Sequence, residues 1–386
     1  MKSVYLDYAA TTPVDDEVVK SMLPFFGENF ANPSSVHTPG QRARAAVEKV
    51  RAAAAAFLGA AAEEIIFTSG GTESNNLAVK GLAAAQRDRG DHIITSTIEH
   101  HAILRPCENL ERQGFRVTRL KVDSSGLIDP GDVERALTDR TILISIMHAN
   151  NEIGTIQPIE EIGRMARERG VLFHTDAVQT FGHLPIDVNR LNIDALSASA
   201  HKFYGPKGVG LLYLRKGARI LPQMEGGDQE RDRRASTHNV PGIVGLGKAI
   251  ELAAERMASE KKRLTGMRDS IIERVLRRIG QTHLNGHPGV RLPNNINVRF
   301  DGVEGEALLF SLDMAGIACS SGSACTSSSV DPSHVLAAIG LPRQAAHSSL
   351  RFSLGRGTTE GDIEYLQDTL VLTVRRLRSL ASKRGA

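Results

Sequence analysis

Short apolar runs recur along the first half of the chain, at Ile65–Phe67, His92–Thr95, Thr141–Met147, Val171–His174, Ala195–Ala198 and Val209–Leu214. Most are separated by stretches with helical spacing, such as Asn75–Arg87, Ile103–Gln113 and Ile159–Arg169. Strands alternating with helices predict βαβ units and a largely parallel sheet, an α/β fold. In such a sheet the working residues stand just past the carboxyl ends of the strands. Ahead of the first run, Met1–Pro13 predicts a short extended segment, Val14–Phe26 a helix broken by Pro24, and Gln41–Leu58 an Ala- and Arg-rich helix. Between them Asn29–Gly40 is a loop rich in Asn, Pro, Ser and Gly.

Beyond the last run, a polar turn at Thr237–Gly242 leads into one long helix from Ile243 to about Arg278. Asn294–Phe300, Ala307–Leu312 and Leu350–Leu354 then predict a smaller α/β or α+β unit, closed by an amphipathic helix over Glu360–Leu380. A chain of 386 residues exceeds one ordinary core. A boundary near the middle of the long helix divides it into a large domain, 15–260, and a small domain made of 1–14 and 261–386.

Composition narrows the class. With 41% hydrophobic and 24% charged residues the chain reads as soluble and globular. A formal charge of +3 gives no case for nucleic acid or a membrane surface as partner. No apolar run approaches membrane-spanning length, and Met1–Ala10 lacks the apolar core of a signal peptide. Three cysteines, Cys107, Cys319 and Cys325, cannot make a disulfide framework, which favours a reducing compartment and predicts a cytoplasmic protein.

Several strand ends carry polar clusters. Leu196–Gly210, L-S-A-S-A-H-K-F-Y-G-P-K-G-V-G, puts Lys202 where a strand gives way to a loop. A lone loop lysine is usually solvated. A partly desolvated one loses its proton readily and can form a Schiff base with an aldehyde cofactor, with Ser199 and His201 beside it to hold a phosphate. Thr68–Asn76, T-S-G-G-T-E-S-N-N, sets glycines and Thr72 at a helix start, whose open N–H groups suit a phosphate. The segment is neither a Walker loop nor a G-x-G-x-x-G fingerprint, so ATP and NAD are poorly supported. Glu99-His100-His101, His148–Glu152 and His174–Gln179 follow other runs, but without metal-ligand spacing. In Gly316–Val330, Cys325 lies among Ser and Gly, where a thiol can reach a substrate and then a partner, whereas Cys107 and Cys319 sit in more apolar surroundings.

These segments together resemble the cysteine desulfurases, pyridoxal 5'-phosphate (PLP) enzymes of aminotransferase fold type I, and most of all the nitrogen-fixation and housekeeping iron–sulfur-cluster branch. The resemblance runs nearly end to end, through L-D-Y-A-A-T-T-P, N-P-S-S-x-H, F-T-S-G-G-T-E-S-N-N, E-H-H-A-I-L, M-H-A-N-N-E-I-G, F-H-T-D-A-V-Q, S-A-H-K-F-Y-G-P-K-G, S-S-G-S-A-C and R-F-S-L-G-R in the family's order. It implies that Lys202 holds PLP, Asp176 pairs with the pyridine nitrogen, and Gln179 bonds the ring oxygen. His100 would stack on the ring and move protons. Gly71, Thr72, Ser199 and His201 would hold the phosphate, and Asn151 would contact the ring. Asn32 and Arg351 would bind the substrate carboxylate.

Cys325 would be the nucleophile that receives sulfur from L-cysteine. It would then pass the sulfur to an iron–sulfur scaffold or another acceptor protein, contacting a cluster in transfer, with no resident metal. The resemblance also implies a homodimer, with Thr237 reaching the phosphate bound by the neighbouring subunit. Where the family has G-T-E after paired arginines, this chain has Ser236-Thr237-His238 after Arg233-Arg234-Ala235. The rival readings are a selenocysteine lyase or another fold-type I enzyme, and a non-catalytic sulfur-pathway adaptor. The thiol at 325 argues against a transaminase; intact Lys202, Asp176 and Cys325 argue against an adaptor.

Overall fold

The computed structural model describes residues 2–321 and 332–384. A short strand β1 (Val4–Tyr5) precedes the central sheet. That sheet is built from β2 (Ile65–Thr68), β3 (His92–Ser96), β4 (Arg116–Leu120), β5 (Thr141–Ser145), β6 (Leu172–Asp176), β7 (Ala195–Ser199) and β8 (Gly210–Leu214). Their order is β2-β8-β7-β6-β5-β3-β4. Neighbours pair in parallel except where β8 meets β2 and β7. Helices cover both faces, so β2, β3, β5, β7 and β8 are buried along their whole length. That is why they read as continuous apolar runs. The sequence pattern misses β4. It is an edge strand, R-V-T-R-L, with only Leu120 buried, so it carries no apolar run.

The second sheet is antiparallel, in the order β12-β13-β10-β9, from β9 (Thr282–Leu284), β10 (Asn295–Phe300), β12 (Ser320–Ser321) and β13 (Ser349–Ser353). Between β10 and β12, β11 (Ile317–Ala318) pairs with β1. Ala307–Leu312 lies inside a helix, Gly305–Met314.

The long helix spans Val240–Arg278 and joins two cores. Its first half, through Ala253, packs with Val47, Phe67 and Leu211 under the central sheet. Leu264 to Val275 pack instead with Phe300, Phe352, Leu366 and the N-terminal Val4 and Leu6. Each fully buried Leu or Ile contributes roughly 1.5–3 kcal/mol, so each half is held by several such side chains.

Candidate active site

A cavity of about 370 Å³ opens at the carboxyl edge of the central sheet. Five ends of the central strands, those of β2, β3, β5, β6 and β7, build it with the N-terminal segment and Arg351 of β13. β2 leads through Gly70 into the helix Gly71–Ala85. Gly70 sits at φ +149°, a backbone state that favours glycine. Gly71 lines the cavity, and a Cβ there would lie 2.6 Å from Val178 Cγ2, so the backbone must approach bare. The first N–H groups of this helix have no partner within it and form the positive end of its dipole. Thr72, Ser199 and His201 line the same end.

β6 delivers Asp176, which is 6% exposed. Its Oδ2 accepts from Asn75 Nδ2 at 2.7 Å and its Oδ1 from the Val178 N–H at 2.9 Å. Gln179 donates from Nε2 to the Ala9 carbonyl at 3.0 Å. Past β7, Lys202 Nζ donates to the carbonyls of Ala9 and Ala10, both at 2.7 Å. The lysine is thereby held at the cavity wall by the L-D-Y-A-A segment. His201 Nδ1 meets Thr11 Oγ1 at 3.1 Å; burial and the nearby Lys202 and Lys207 push its imidazole down to about 4, so it is neutral at pH 7.

His100 caps the helix His101–Arg112, its Nδ1 accepting from the Ala102 N–H at 3.1 Å. Burial holds its imidazole below the usual histidine range; Asp176 opposes that shift and Lys202 adds to it. A neutral ring whose Nδ1 accepts carries its hydrogen on Nε2. Asn151 and Arg351 close the far side. Arg351 Nη1 donates to the Asn151 carbonyl at 3.1 Å and Nη2 to Asp7 Oδ1 at 2.7 Å. Its Nε is buried and has no hydrogen-bond partner among the described residues.

The structure thus gathers Gly71, Thr72, His100, Asn151, Asp176, Gln179, Ser199, His201, Lys202 and Arg351 around one cavity. Asn32 and Thr237 are not among the residues that line it. Asn32 is exposed, and its Oδ1 accepts from the Ser34 N–H at 2.9 Å in a local turn. Thr237 is exposed as well. Cys325 lies outside the described residues. Cys107 and Cys319 are described, and burial pushes both thiols up to about 12, which leaves them protonated and unreactive. Sequence reasoning passed over Asn75, Ala9 and Ala10. Asn75 stands four residues after Gly71, one helical turn on, so the i, i+4 rule could have placed it on the same face. The two alanines contribute only carbonyls and leave no signal.

The two departures near Thr237 find local explanations. Ser236 stands at φ +92°, where glycine is at home and serine is strained. His238 Nε2 meets Glu230 Oε1 at 2.6 Å. Glu230 also receives Arg51 on both oxygens, each at 2.7 Å, and the Phe67 N–H at 2.9 Å. Burial alone would raise the Glu230 carboxyl, but Arg51 and His238 outweigh it and hold it at about 2.

The aminotransferase class-V family profile matches residues 4–366. The protein named cysteine desulfurase IscS of Dictyoglomus turgidum is 56% identical over 380 residues, 98% of this chain and 96% of that one. The protein of the same name from Methanosarcina thermophila is also 56% identical, over 98% of this chain and 94% of its own. Among solved structures, a NifS-like protein superposes with a TM-score of 0.92 at 38% identity, covering 97% of this chain and all of the other. A structure described as SspA in complex with cysteine gives 0.81 at 42% identity, over 91% and 99%.

The enzymes of this family work with PLP, and the donor set fits that cofactor. An aldehyde needs an amine, present in Lys202. A pyridine nitrogen needs a fixed carboxylate, present in Asp176. A phosphate needs the open helix start and the Ser199 hydroxyl. A flat ring needs an apolar and aromatic slot, and Val178 and His100 line one. Matched along nearly its whole length in sequence and in fold, the chain belongs to the class-V aminotransferase family, on its cysteine desulfurase branch.

Proposed function

We propose that this chain acts as a homodimeric, PLP-dependent cysteine desulfurase that supplies sulfur for iron–sulfur cluster assembly. The observation that carries the reading is one cavity holding an amine at Lys202 and a doubly hydrogen-bonded carboxylate at Asp176, beside a helix start that can seat a phosphate. When bound, the cofactor supplies an electron sink for the carbon that loses its proton. The protein supplies everything else. Lys202 would anchor the cofactor, and its amine, freed when the amine of L-cysteine takes its place and kept nearby by the Ala9 and Ala10 carbonyls, would take the proton from the substrate's α-carbon. Asp176 holds the pyridine nitrogen protonated, with Asn75 and the Val178 N–H fixing the carboxylate's direction. Gln179 bonds the ring oxygen. His100 covers the ring and offers the Nε2 hydrogen.

Arg351 takes the carboxylate of L-cysteine, because its planar fork suits that group and its Nε is still unpartnered among the described residues. Asn32, whose Oδ1 accepts from the Ser34 N–H, is assigned to the same carboxylate through its Nδ2 donor. The Cys325 thiolate attacks the substrate sulfur. The carbon–sulfur bond breaks and its electron pair stays on carbon; one proton is added to that carbon, and Lys202 returns another to the α-carbon to complete L-alanine. Cys325 keeps the sulfur as a persulfide until an acceptor thiolate takes it. The placement of β12 supports this role. Ser320 pairs with Arg351 and Ser321 precedes Cys325 by four positions, so the chain leading to the thiol leaves from beside the strand that carries Arg351.

Thr237, exposed and outside this cavity, is assigned to the phosphate of a second subunit. The large domain is assigned to 15–260 and the small one to 1–14 with 261–386, supported by the separate cores that the two halves of the long helix enter. No helix among the described residues is long and apolar enough to cross a membrane. The few cysteines support a cytoplasmic location.

Cys325→Ser is the decisive variant. It should bind PLP and change its spectrum on addition of L-cysteine, yet make no L-alanine and carry no persulfide. Mass spectrometry should place one added sulfur on the Cys325 peptide of the parent protein. Sulfur found only at Cys107 or Cys319, or full activity in Cys325→Ser, would refute the assignment.

A further inference from the structure

Two buried carboxylic side chains beside the cavity have no part in the chemistry above. Glu99 is 0% exposed and Glu152 6%. Burial pushes the first up to about 8 and the second up to about 7. Glu99 has a local task, accepting the Ser96 hydroxyl at 2.6 Å and the Met147 N–H at 3.0 Å. Glu152 reaches across the chain to Ser333.

Ser333 opens the short helix His334–Ala338. Its hydroxyl oxygen accepts the N–H groups of Val335 at 3.1 Å and Leu336 at 3.2 Å. Those bonds use both lone pairs of the oxygen, so its O–H can only be donated, and Glu152 Oε2 receives it. Glu152 is itself fixed. Its N–H donates to Asn150 Oδ1 at 2.8 Å, and its carbonyl accepts from Asn297 Nδ2 at 3.2 Å. Its neighbour Asn151 lines the cavity and receives Arg351. The helix after Ser333 docks on the same ground: Val335, Leu336 and Ile339 pack with Ile98, Met147 and Ile153, and His334 Nε2 meets the Glu99 carbonyl at 2.9 Å. Before Cys325 the chain is tied to Arg351 through β12, and after it through Ser333 to the neighbour of Asn151.

We propose that Glu152 is a positioning residue for sulfur transfer: by accepting the Ser333 hydroxyl it pins the chain just after the Cys325 segment to the segment that lines the cavity. This rests on Cys325 being the nucleophile. Fixing Ser333 against Glu152 holds that point of the chain, eight positions after Cys325, beside the segment that lines the cavity, and a reacting group whose chain is held near its target pays less entropy to reach it.

The test uses the holoenzyme in a single turnover with L-cysteine, following the Cys325 persulfide by quenched mass spectrometry and ligand binding by absorbance. Ser333→Ala should leave the PLP spectrum and its response to L-cysteine intact while persulfide formation slows about tenfold, the scale of one lost hydrogen bond to a charged group. Ser333→Asp keeps a helix cap but has no proton to donate, so it should be slow as well. Ser333→Thr keeps the hydroxyl and should recover most of the rate. Combining Ser333→Ala with Glu152→Ala should slow the step no more than the worse single change. A parental rate in both Ser333→Ala and Ser333→Asp would overturn the proposal. So would PLP retention falling in step with the rate, which would mark general structural damage. A Cys325→Ser variant that still made alanine would instead sink the nucleophile assignment, so the two failures are told apart.

Discussion

Replacing Glu230 by Gln should be among the most damaging single changes outside the active site. Residues 228–238 carry Arg234 and Thr237 and run through an unusual backbone. Glu230, Arg231 and Asp232 have φ of 49°, 58° and 62°, and Ser236 has 92°. Non-glycine residues in such states cost roughly 1–3 kcal/mol each and persist only where the surroundings hold them. Glu230 is the holding point. It accepts from Arg51 twice, from Phe67 and from His238, and its side chain is 1% exposed against 6% for Arg51. Gln at 230 keeps the shape but takes away the buried partner of the Arg51 cation, leaving it the half-exposed Glu48 carboxylate at 3.1 Å and the Ile65 carbonyl at 2.7 Å, so the cost is the low end of that for breaking a buried ion pair, about 3 kcal/mol. At the few degrees per kcal/mol usual for domains of this size, the Tm of the holoenzyme should fall by about 10 °C. Circular dichroism during a thermal ramp reads this directly. The double variant Arg51→Met with Glu230→Gln should melt higher than Glu230→Gln alone, because no buried cation is then left without its buried carboxylate. A Glu230→Gln protein melting within about 1 °C of its parent, a shift typical of an inert surface change, would refute the argument.

Two smaller predictions follow from the same geometry. Ser236→Gly relieves a positive φ while keeping the N–H that donates to Gln229 Oε1 at 3.0 Å, so Tm should rise by about 2 °C; a lower Tm would show that the serine is not strained. Lys202→Ala should lose the borohydride-fixed cofactor adduct while keeping its fold by circular dichroism; a normal yield of adduct would place the anchor elsewhere.

The apolar runs report burial on both faces of a sheet, and that is a local property. They predicted six of the seven central strands, and missed β4 because an edge strand needs no apolar run. Motif order was equally legible, and it led to Lys202, Asp176, His100 and the helix start at Gly71. At 236 and 238 the sequence marked a departure but not its resolution. The backbone angle of Ser236 and the Glu230 partner of His238 depend on how a distant loop lies on the helix Thr38–Leu58 and β2.

The chain's own order of residues therefore determined the α/β alternation, the strand ends that carry chemistry and the residue types found there. Tertiary structure alone decided which of those ends meet. Lys202 is held by carbonyls 193 and 192 positions away, Asp176 by an asparagine 101 positions away, and Ser333 by a glutamate 181 positions away. The reason is physical. Hydrophobic period and capping report only a residue's neighbours within a turn or a strand. Contacts across the cavity depend on the strand order β2-β8-β7-β6-β5-β3-β4 and on the small unit closing over its edge, and neither is written in any local pattern.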